Sequence, residues 1–381
     1  MNAEYKTLAD MGDIRGKTVL LRLDLNVPIQ DGVITEDFRI RKSLPTLSFL
    51  RARGAKVVII SHVEGVERSS DTLKPVYDHM TGALGLKDVV FCSDCIESGM
   101  ECLAKLPEGG IILCENIRLY DGEKKNDPDF AKKLASLADL YVNDAFSVSH
   151  RKHASIVGVP KFLPGFAGLQ LEEEVKNLSK VFDPARPFLF ILGGAKFDTK
   201  LPLVEKFLPI ADTVFVGGAL SNDLYKAKGY EVGASKISEG DIDFKKYLEA
   251  KNLIMPVDIV VRSENGAVTK KPEEILQGES VQDAGEGTVA LLREKITEAK
   301  CVLWNGPLGN FENGFKGPTL ELAKAIAASG AYSVVGGGDT LAAIKELDLE
   351  DKFGFVSTAG GAMLDFLGKG TLPGIEALKN S

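Results

Sequence analysis

The stretch "PFLFILGG" (residues 187–194) is an unbroken apolar run that stops at a pair of glycines. Apolar runs without polar alternation belong to strands buried on both faces, and glycines at the end allow a tight turn into the next element. Nine further short runs share this character: "TVLLRLDL" (18–25), "KVVIIS" (56–61), "DVVFC" (88–92), "GIILCEN" (110–116), "LYVND" (140–144), "TVFVGG" (213–218), "CVLWNG" (301–306), "SVVGGG" (333–338) and "FGFVST" (353–358). Helical patterns such as "DPDFAKKLASLA" and "GPTLELAKAIAAS" fall between many of them. Strand–helix alternation of this kind predicts an α/β protein with parallel sheets covered on both sides.

At 381 residues the chain exceeds the size at which one hydrophobic core keeps growing, so two domains are expected. "LQLEEEVKNLSKVF" (169–182) places Leu171, Val175, Leu178 and Phe182 on one helical face and breaks at "DPARP", which reads as a helix joining two α/β halves. Composition is that of a soluble globular protein, 44% hydrophobic and 26% charged. The net charge of −8 offers no overall attraction to nucleic acid or an anionic membrane, and it opposes an anionic substrate at long range. Any phosphate site must therefore be built locally. No apolar run approaches a bilayer span, and the first residues lack a signal-peptide core. Five cysteines in such a chain point to reduced thiols in a cytoplasm. Cys92 and Cys95 have C-x-x-C spacing, but no second ligand pair lies close in sequence, so buried or loop cysteines are expected rather than a zinc site.

The two halves carry different chemistry. In the second, "ILGGAK" (191–196), "VGGAL" (216–220), "VVGGGDT" (334–340) and "STAGGA" (357–362) each set glycines between a strand and a segment expected to be helical. Such turns let backbone approach a ligand, and the following helix N-terminus presents free N–H groups to an anion. Lys196 and Lys200 follow the first turn, and Asp339 and Thr340 the third. A carboxylate beside a phosphate turn is repulsive unless a divalent cation sits between them, so the composite reads as nucleotide phosphates with Mg2+. Gly309 to Gly314 has G-x-x-x-x-G spacing, yet Phe315-Lys316 follows, which excludes a Walker A loop; no G-x-G-x-x-G follows a strand.

The first half instead brings side chains to its strand ends: Asp24, Asn26, His62, Arg118, and "NDAFSVSHRKHAS" with His150, Arg151 and His153, while Arg39 follows the first strand. Ligands of open parallel sheets bind outside the carboxyl ends of the strands, where several Arg and His side chains form an anion clamp.

The segments "LRLDLNVPIQDGVITEDFRI", "KNDPDFAKKLASLADLYVNDAF", "ILGGAKFDTK", "VLWNGPLGNFE", "VVGGGDT" and "STAGGA" resemble the phosphoglycerate kinase family, in its order and over essentially the whole chain. The resemblance implies two Rossmann-like three-layer domains joined by an interdomain helix and hinge: an N-terminal phosphoglycerate domain over 1–168, a helix over 169–183, a nucleotide domain over 184–366, and a tail, 367–381, packing back on the first domain. It implies phosphoryl transfer between 1,3-bisphosphoglycerate and ADP with Mg2+, by a cytoplasmic monomer. Asp24, Asn26, Arg39, His62, Arg118 and Arg151 are then expected to hold phosphoglycerate. Lys196 and Lys200 contact the migrating phosphoryl group and nucleotide phosphates; Asn305 and Glu312 hold the nucleoside; Asp339 holds the metal; and Thr340 with the Gly336, Gly337 and Gly338 turn holds the phosphates. Gly217 and Pro307 complete the nucleotide set, and Arg39, Lys196 and Gly338 form the catalytic set.

Some motifs depart from the family. His62-Val63-Glu64-Gly65-Val66 stands for the usual His-Leu-Gly-Arg-Pro, which removes one substrate arginine; Arg68 is expected to substitute. Ser147-Val148-Ser149-His150 stands for Gly-Thr-Ala-His, "DAGEGT" (283–288) for Asp-Ile-Gly-Pro-Lys-Thr, and Ala219 and Ala359 each for a glycine. The missing arginine motivates an alternative, a catalytically weak paralogue acting as a nucleotide sensor or binding module. A dehydrogenase on a related fold is disfavoured by the absent dinucleotide fingerprint.

Overall fold

The computed structural model describes residues 5–64, 71–195, 197–239, 242–264 and 266–381. The ten apolar runs all form strands, each ending near the glycines or polar residues that close the run. Contacts divide the chain into two units, one of residues 1–176 with 371–381 and one of residues 177–370. The first division falls inside the helix Leu169–Ser179, and the second leaves only 371–381, rather than 367–381, with the first unit.

In the first unit a six-stranded parallel sheet runs in the spatial order Val89–Cys92, Ile111–Cys114, Lys56–Ile60, Thr18–Arg22, Leu140–Asn143, Gly165–Ala167. The first strand in sequence, Thr18–Arg22, is buried along its length and lies between the second and a much later strand, so the strand order reverses at its edges. One face packs on a core that includes Val19, Leu21, Leu47, Val57, Ile59 and Val76.

The second unit repeats the plan in the order Leu253–Ile254, Thr213–Val216, Phe188–Leu192, Cys301–Asn305, Tyr332–Gly336, Phe355–Ser357. Again the first strand, Phe188–Leu192, sits at the reversal. Crevices at such switch points, beyond the carboxyl ends of the strands, are where open α/β sheets take ligands. A core on one side of this sheet includes Leu189, Ile191, Trp304, Leu322 and Val335.

Two small antiparallel sheets have no counterpart among the apolar runs. Ile259–Ser263 pairs with Gly266–Lys270 and Ser280–Ala284, and Ile29–Gln30 pairs with Val33–Ile34. Gly266–Lys270 is almost wholly exposed, so burial leaves no apolar signature there. The joining helix also differs in its buried face. Leu171 and Leu178 are buried as expected, but Glu174 and Val181 complete the stripe, while Val175 and Phe182 are half-buried. Both stripes share the same central leucines, and a small rotation about the helix axis selects which flank is covered.

The helix Leu169–Ser179 starts against a buried acid. Asp144 Oδ1, just beyond the Leu140–Asn143 strand, accepts hydrogen bonds from Gln170 N (2.8 Å) and Leu171 N (3.1 Å), and Thr46 Oγ1 accepts from Leu169 N (3.0 Å). Three N–H groups that a helix start leaves unsatisfied are thereby paired. Burial pushes the Asp144 carboxyl up to about 7.

Candidate functional site

In the first unit, the carboxyl ends of the Thr18–Arg22 and Lys56–Ile60 strands gather the expected anion ligands. Arg39 Nη1 lies 3.0 Å from Asp24 Oδ2 and donates to Asn26 O (3.0 Å). Asp24 also accepts from Ser147 Oγ (2.5 Å) and Asn26 N (3.1 Å), so the short "DLN" loop is held from both sides. Asn26 Oδ1 accepts from Glu64 N (3.1 Å). Arg118 follows the Ile111–Cys114 strand; Asn116 Oδ1 caps its backbone N (3.0 Å), while Asn116 Nδ2 holds Val63 O and Asp71 O at either side of the neighbouring loop. Arg118 Nη1 is ion-paired with Glu64 Oε1. Arg151 is exposed, and its charge bears on half-buried His153. Arg68 lies outside the described residues.

His62 is held by Arg22, a residue that no motif marks. Arg22, fully buried, donates from Nη2 to His62 Nδ1 (3.1 Å), from Nε to Ser155 Oγ (3.0 Å), and to Leu23 O. Ser155 in turn donates through Oγ and N to buried Glu123 (2.6 and 2.9 Å), whose charge balances the guanidinium. A guanidinium has no acceptor, so His62 Nδ1 must be the unprotonated nitrogen and Nε2 carries the hydrogen. Burial first, and then Arg22, Arg118, Arg39 and His153, hold His62 well below the ordinary histidine range. Burial first, and then Arg118, Arg22, Arg151 and Lys124, hold His153 down to about 4. His62 is therefore a neutral donor at pH 7. The only sequence signal for Arg22 was a charge inside an otherwise apolar strand.

In the second unit, a cleft of about 480 Å3 opens at the switch point. It is lined by the first three glycine turns, through Gly194 and Ala195, Gly218 and Ala219, and Asp339, and by Pro307 and the segment 309–313, which includes Glu312. Lys200 reaches back from the helix Phe197–Phe207 to donate to Gly193 O. Gly194 has φ +98°, and a Cβ there would stand 2.7 Å from Lys200 Nζ, so a side chain would displace the amine. Burial lowers Lys200 to about 8, with Asp339 opposing the shift. Gly337 takes φ +107° between the Tyr332–Gly336 strand and the helix Gly338–Glu346, which begins with Gly338 and Asp339.

Asn305 and Thr340 do structural work in this geometry. Asn305 Nδ2 donates to Gly336 O (2.8 Å), and Thr340 Oγ1 accepts from Gly306 N (2.9 Å); both residues are buried. They clamp the third turn against the "NGP" loop. Gly336 and Gly217 also pack inward, against Met363 and Phe215. The Walker-like Gly309–Gly314 spacing belongs to a lining segment with a short 3-10 turn, Phe311–Asn313. The cleft also takes in Ser235, Lys236, Gln282 and Asp283, none of them singled out as ligands. Burial pushes Asp283 up to about 7. Lys196 lies outside the described residues.

The sequence profile of the phosphoglycerate kinase family matches residues 8–369. The chain belongs to the phosphoglycerate kinase family. It is 42% identical over 393 aligned positions to the phosphoglycerate kinase of Dictyoglomus turgidum, covering 98% of this chain and 99% of that one. It is 44% identical over 380 positions to that of Rubrobacter xylanophilus, with 96% of each chain covered. Among solved structures it resembles phosphoglycerate kinase from Coxiella burnetii (TM-score 0.85, 35% identity, 99% of each chain) and from Pyrococcus horikoshii (TM-score 0.81, 32% identity, 98% of each chain).

Family chemistry implies a divalent cation on the nucleotide, and the donor set fits one. Asp339 offers a hard oxygen at the edge of the cleft, beside Lys200. Among the described residues no group of three or more His, Cys, Asp or Glu could by itself cage a metal. The Asp339 carboxylate at the cleft edge fits Mg2+, which takes one or two carboxylates and completes its shell with phosphates and water.

Proposed function

We propose that this chain transfers a phosphoryl group reversibly between the acyl phosphate of 1,3-bisphosphoglycerate and ADP, yielding 3-phosphoglycerate and ATP. Membership of a family of carboxyl-group phosphotransferases supports the reaction. The observation that carries it is the contrast between the two switch points. One is lined by cationic side chains and suits a small multiply charged acid; the other is lined by glycine backbone with Lys200 and Asp339 and suits nucleotide phosphates.

Arg39, His62, Arg118 and Arg151, with Asp24 and Asn26 shaping the loop, hold the phosphoglycerate. His62 donates through Nε2, and Arg39 and Arg118 exchange their internal carboxylates, Asp24 and Glu64, for the anionic groups of the substrate. In the second unit Gly338 and its neighbours present backbone N–H groups at a helix start, and Lys196 and Lys200 neutralise charge on the phosphates. Mg2+, when bound at Asp339, supplies further charge neutralisation on the nucleotide. The attacking carboxylate of 3-phosphoglycerate is ionised at pH 7, so no general base is required. Alignment and stabilisation of the moving phosphoryl group account for catalysis. Hinge closure belongs to this proposal, because in-line transfer needs both ligands at contact distance with water expelled. The proposal includes a cytoplasmic monomer acting on small molecules; five free cysteines suit a reducing compartment, and the charge of −8 gives no overall attraction to nucleic acid or anionic membranes.

The test is a coupled assay that follows ADP formation from 3-phosphoglycerate, ATP and Mg2+. Turnover is expected, with Arg39→Ala reducing kcat/KM more than about tenfold, as loss of a charged contact to the transferring group requires. Nucleotide binding without turnover would overturn the reading.

A further inference from the structure

Four of the five cysteines, scattered over residues 92–114 in sequence, meet in the first unit. Cys92 and Cys114 end neighbouring strands in register, Cys95 lies in the following loop, and Cys102 projects from the helix Gly99–Ala104. The thiols associate two by two. Cys102 Sγ donates to Cys92 Sγ at 3.2 Å, and Cys95 is hydrogen-bonded to Cys114. The four do not converge into a metal cage. Cys92, Cys95 and Cys114 are buried, whereas Cys102 is partly exposed.

We propose that Cys92 and Cys102 are a modification site, a thiol pair that hydrogen peroxide converts to a disulfide. Cys102 is the member that a small oxidant reaches. Its thiolate attacks one oxygen of peroxide; the O–O bond breaks, leaving Cys102 sulfenic acid, and the departing hydroxide takes a proton to become water. Cys92 sulfur then attacks the sulfenyl sulfur. The S–S bond forms, the S–O bond breaks, and the leaving hydroxide takes the Cys92 proton as a second water. Each sulfur is oxidised by one electron and peroxide is reduced by two. The 3.2 Å separation leaves little more than 1 Å of approach to a normal S–S bond of about 2.05 Å. The pair Cys95–Cys114 differs in having no partly exposed member, so peroxide has no first thiol to reach there.

The folded protein is exposed to hydrogen peroxide, then denatured with N-ethylmaleimide and digested with trypsin together with proteases that cut before Asp94 and after Glu101. These cuts place Cys92, Cys95 and Cys102 on separate peptides. The expected product is a Cys92–Cys102 linked peptide, 2 Da lighter than the two reduced fragments and cleaved by reductant, with Cys95, Cys114 and Cys301 alkylated. A Cys92→Ala variant should instead accumulate Cys102 sulfenic acid, trapped by dimedone. Linkage of Cys95 to Cys114 or to Cys102 would overturn the proposal. So would a Cys102 that reaches sulfinic acid while Cys92 remains alkylatable, or a Cys102 that stays reduced when surface methionines are oxidised. None of these readouts depends on kinase activity.

Discussion

Glu64 Oε1 is ion-paired with Arg118 Nη1, and Lys124 Nζ stands 3.5 Å from the same carboxylate oxygen. Glu64 occupies the position where the family motif carries glycine, so this chain places an acid of its own on an arginine expected to hold substrate. Arg118 and Lys124 lower the Glu64 pKa despite the opposing effect of burial, keeping it ionised at neutral pH.

In the proposed binding mode, substrate displaces that carboxylate from Arg118. Glu64→Gln keeps the shape and removes the charge, so it should lower the KM for 3-phosphoglycerate about two- to fivefold with kcat little changed, the range expected for a partly exposed ion pair. An unchanged or higher KM in steady-state kinetics would show that Glu64 does not compete with substrate.

His62 should remain neutral, with its hydrogen on Nε2, through the pH range in which a free histidine titrates, because burial opposes a second charge and Arg22 donates to Nδ1. Nitrogen-15 NMR of the imidazole should show an unprotonated Nδ1 that does not titrate. A midpoint near 6.5, the value of a free histidine, would contradict the assigned hydrogen bond.

Lys200, lowered to about 8, loses its charge as pH rises through that value. The proposed attraction for nucleotide phosphate therefore weakens on the alkaline side, and the KM for ATP should climb above about pH 8. Lys200→Arg retains charge to far higher pH and should flatten that limb, even if its longer side chain raises the KM throughout. An identical alkaline limb in both proteins would assign it to another group.

Asp144 contributes to stability with a defined sign. Its folded pKa of about 7 lies above the unfolded value near 4, so between these limits the native state holds a proton that the unfolded chain has released. Its contribution is full below about pH 4 and is lost as pH rises to about 7. His153, lowered to about 4 in the fold, acts oppositely, its contribution growing from about pH 4 to 6.5. Asp144→Asn keeps the oxygen that accepts from Gln170 and Leu171 and removes the titration. Urea denaturation should show the variant gaining stability relative to the parent between pH 4 and 7. A constant difference would place the Asp144 pKa elsewhere.

Much of the fold was legible because strands buried on both faces leave runs such as "TVLLR" and "FLFIL" that no helix face or loop would carry. The short edge strands Gly165–Ala167 and Leu253–Ile254 and the exposed Gly266–Lys270 left no such mark. In the nucleotide cleft, glycine turns announced Gly194, Gly218 and Asp339. Asp283 and Gln282 arrive from a strand of a different sheet, which motif spacing could not indicate.

Linear order was enough to place Asp24, Arg39, His62 and Arg118 near one another, because parallel strands deliver their carboxyl ends to a common edge. It also marked the glycine turns that line the cleft of the second unit, since glycine's backbone freedom is a local property. Partnership across the fold was a different matter. That Arg22 sets the His62 tautomer, that Glu64 covers Arg118, that Thr340 turns inward to Gly306, and that Cys102 reaches Cys92 all depend on side-chain direction between separate elements. Spacing along one element cannot supply that, because packing of the sheet against its helices selects which side chains face each other and which are cut off from water.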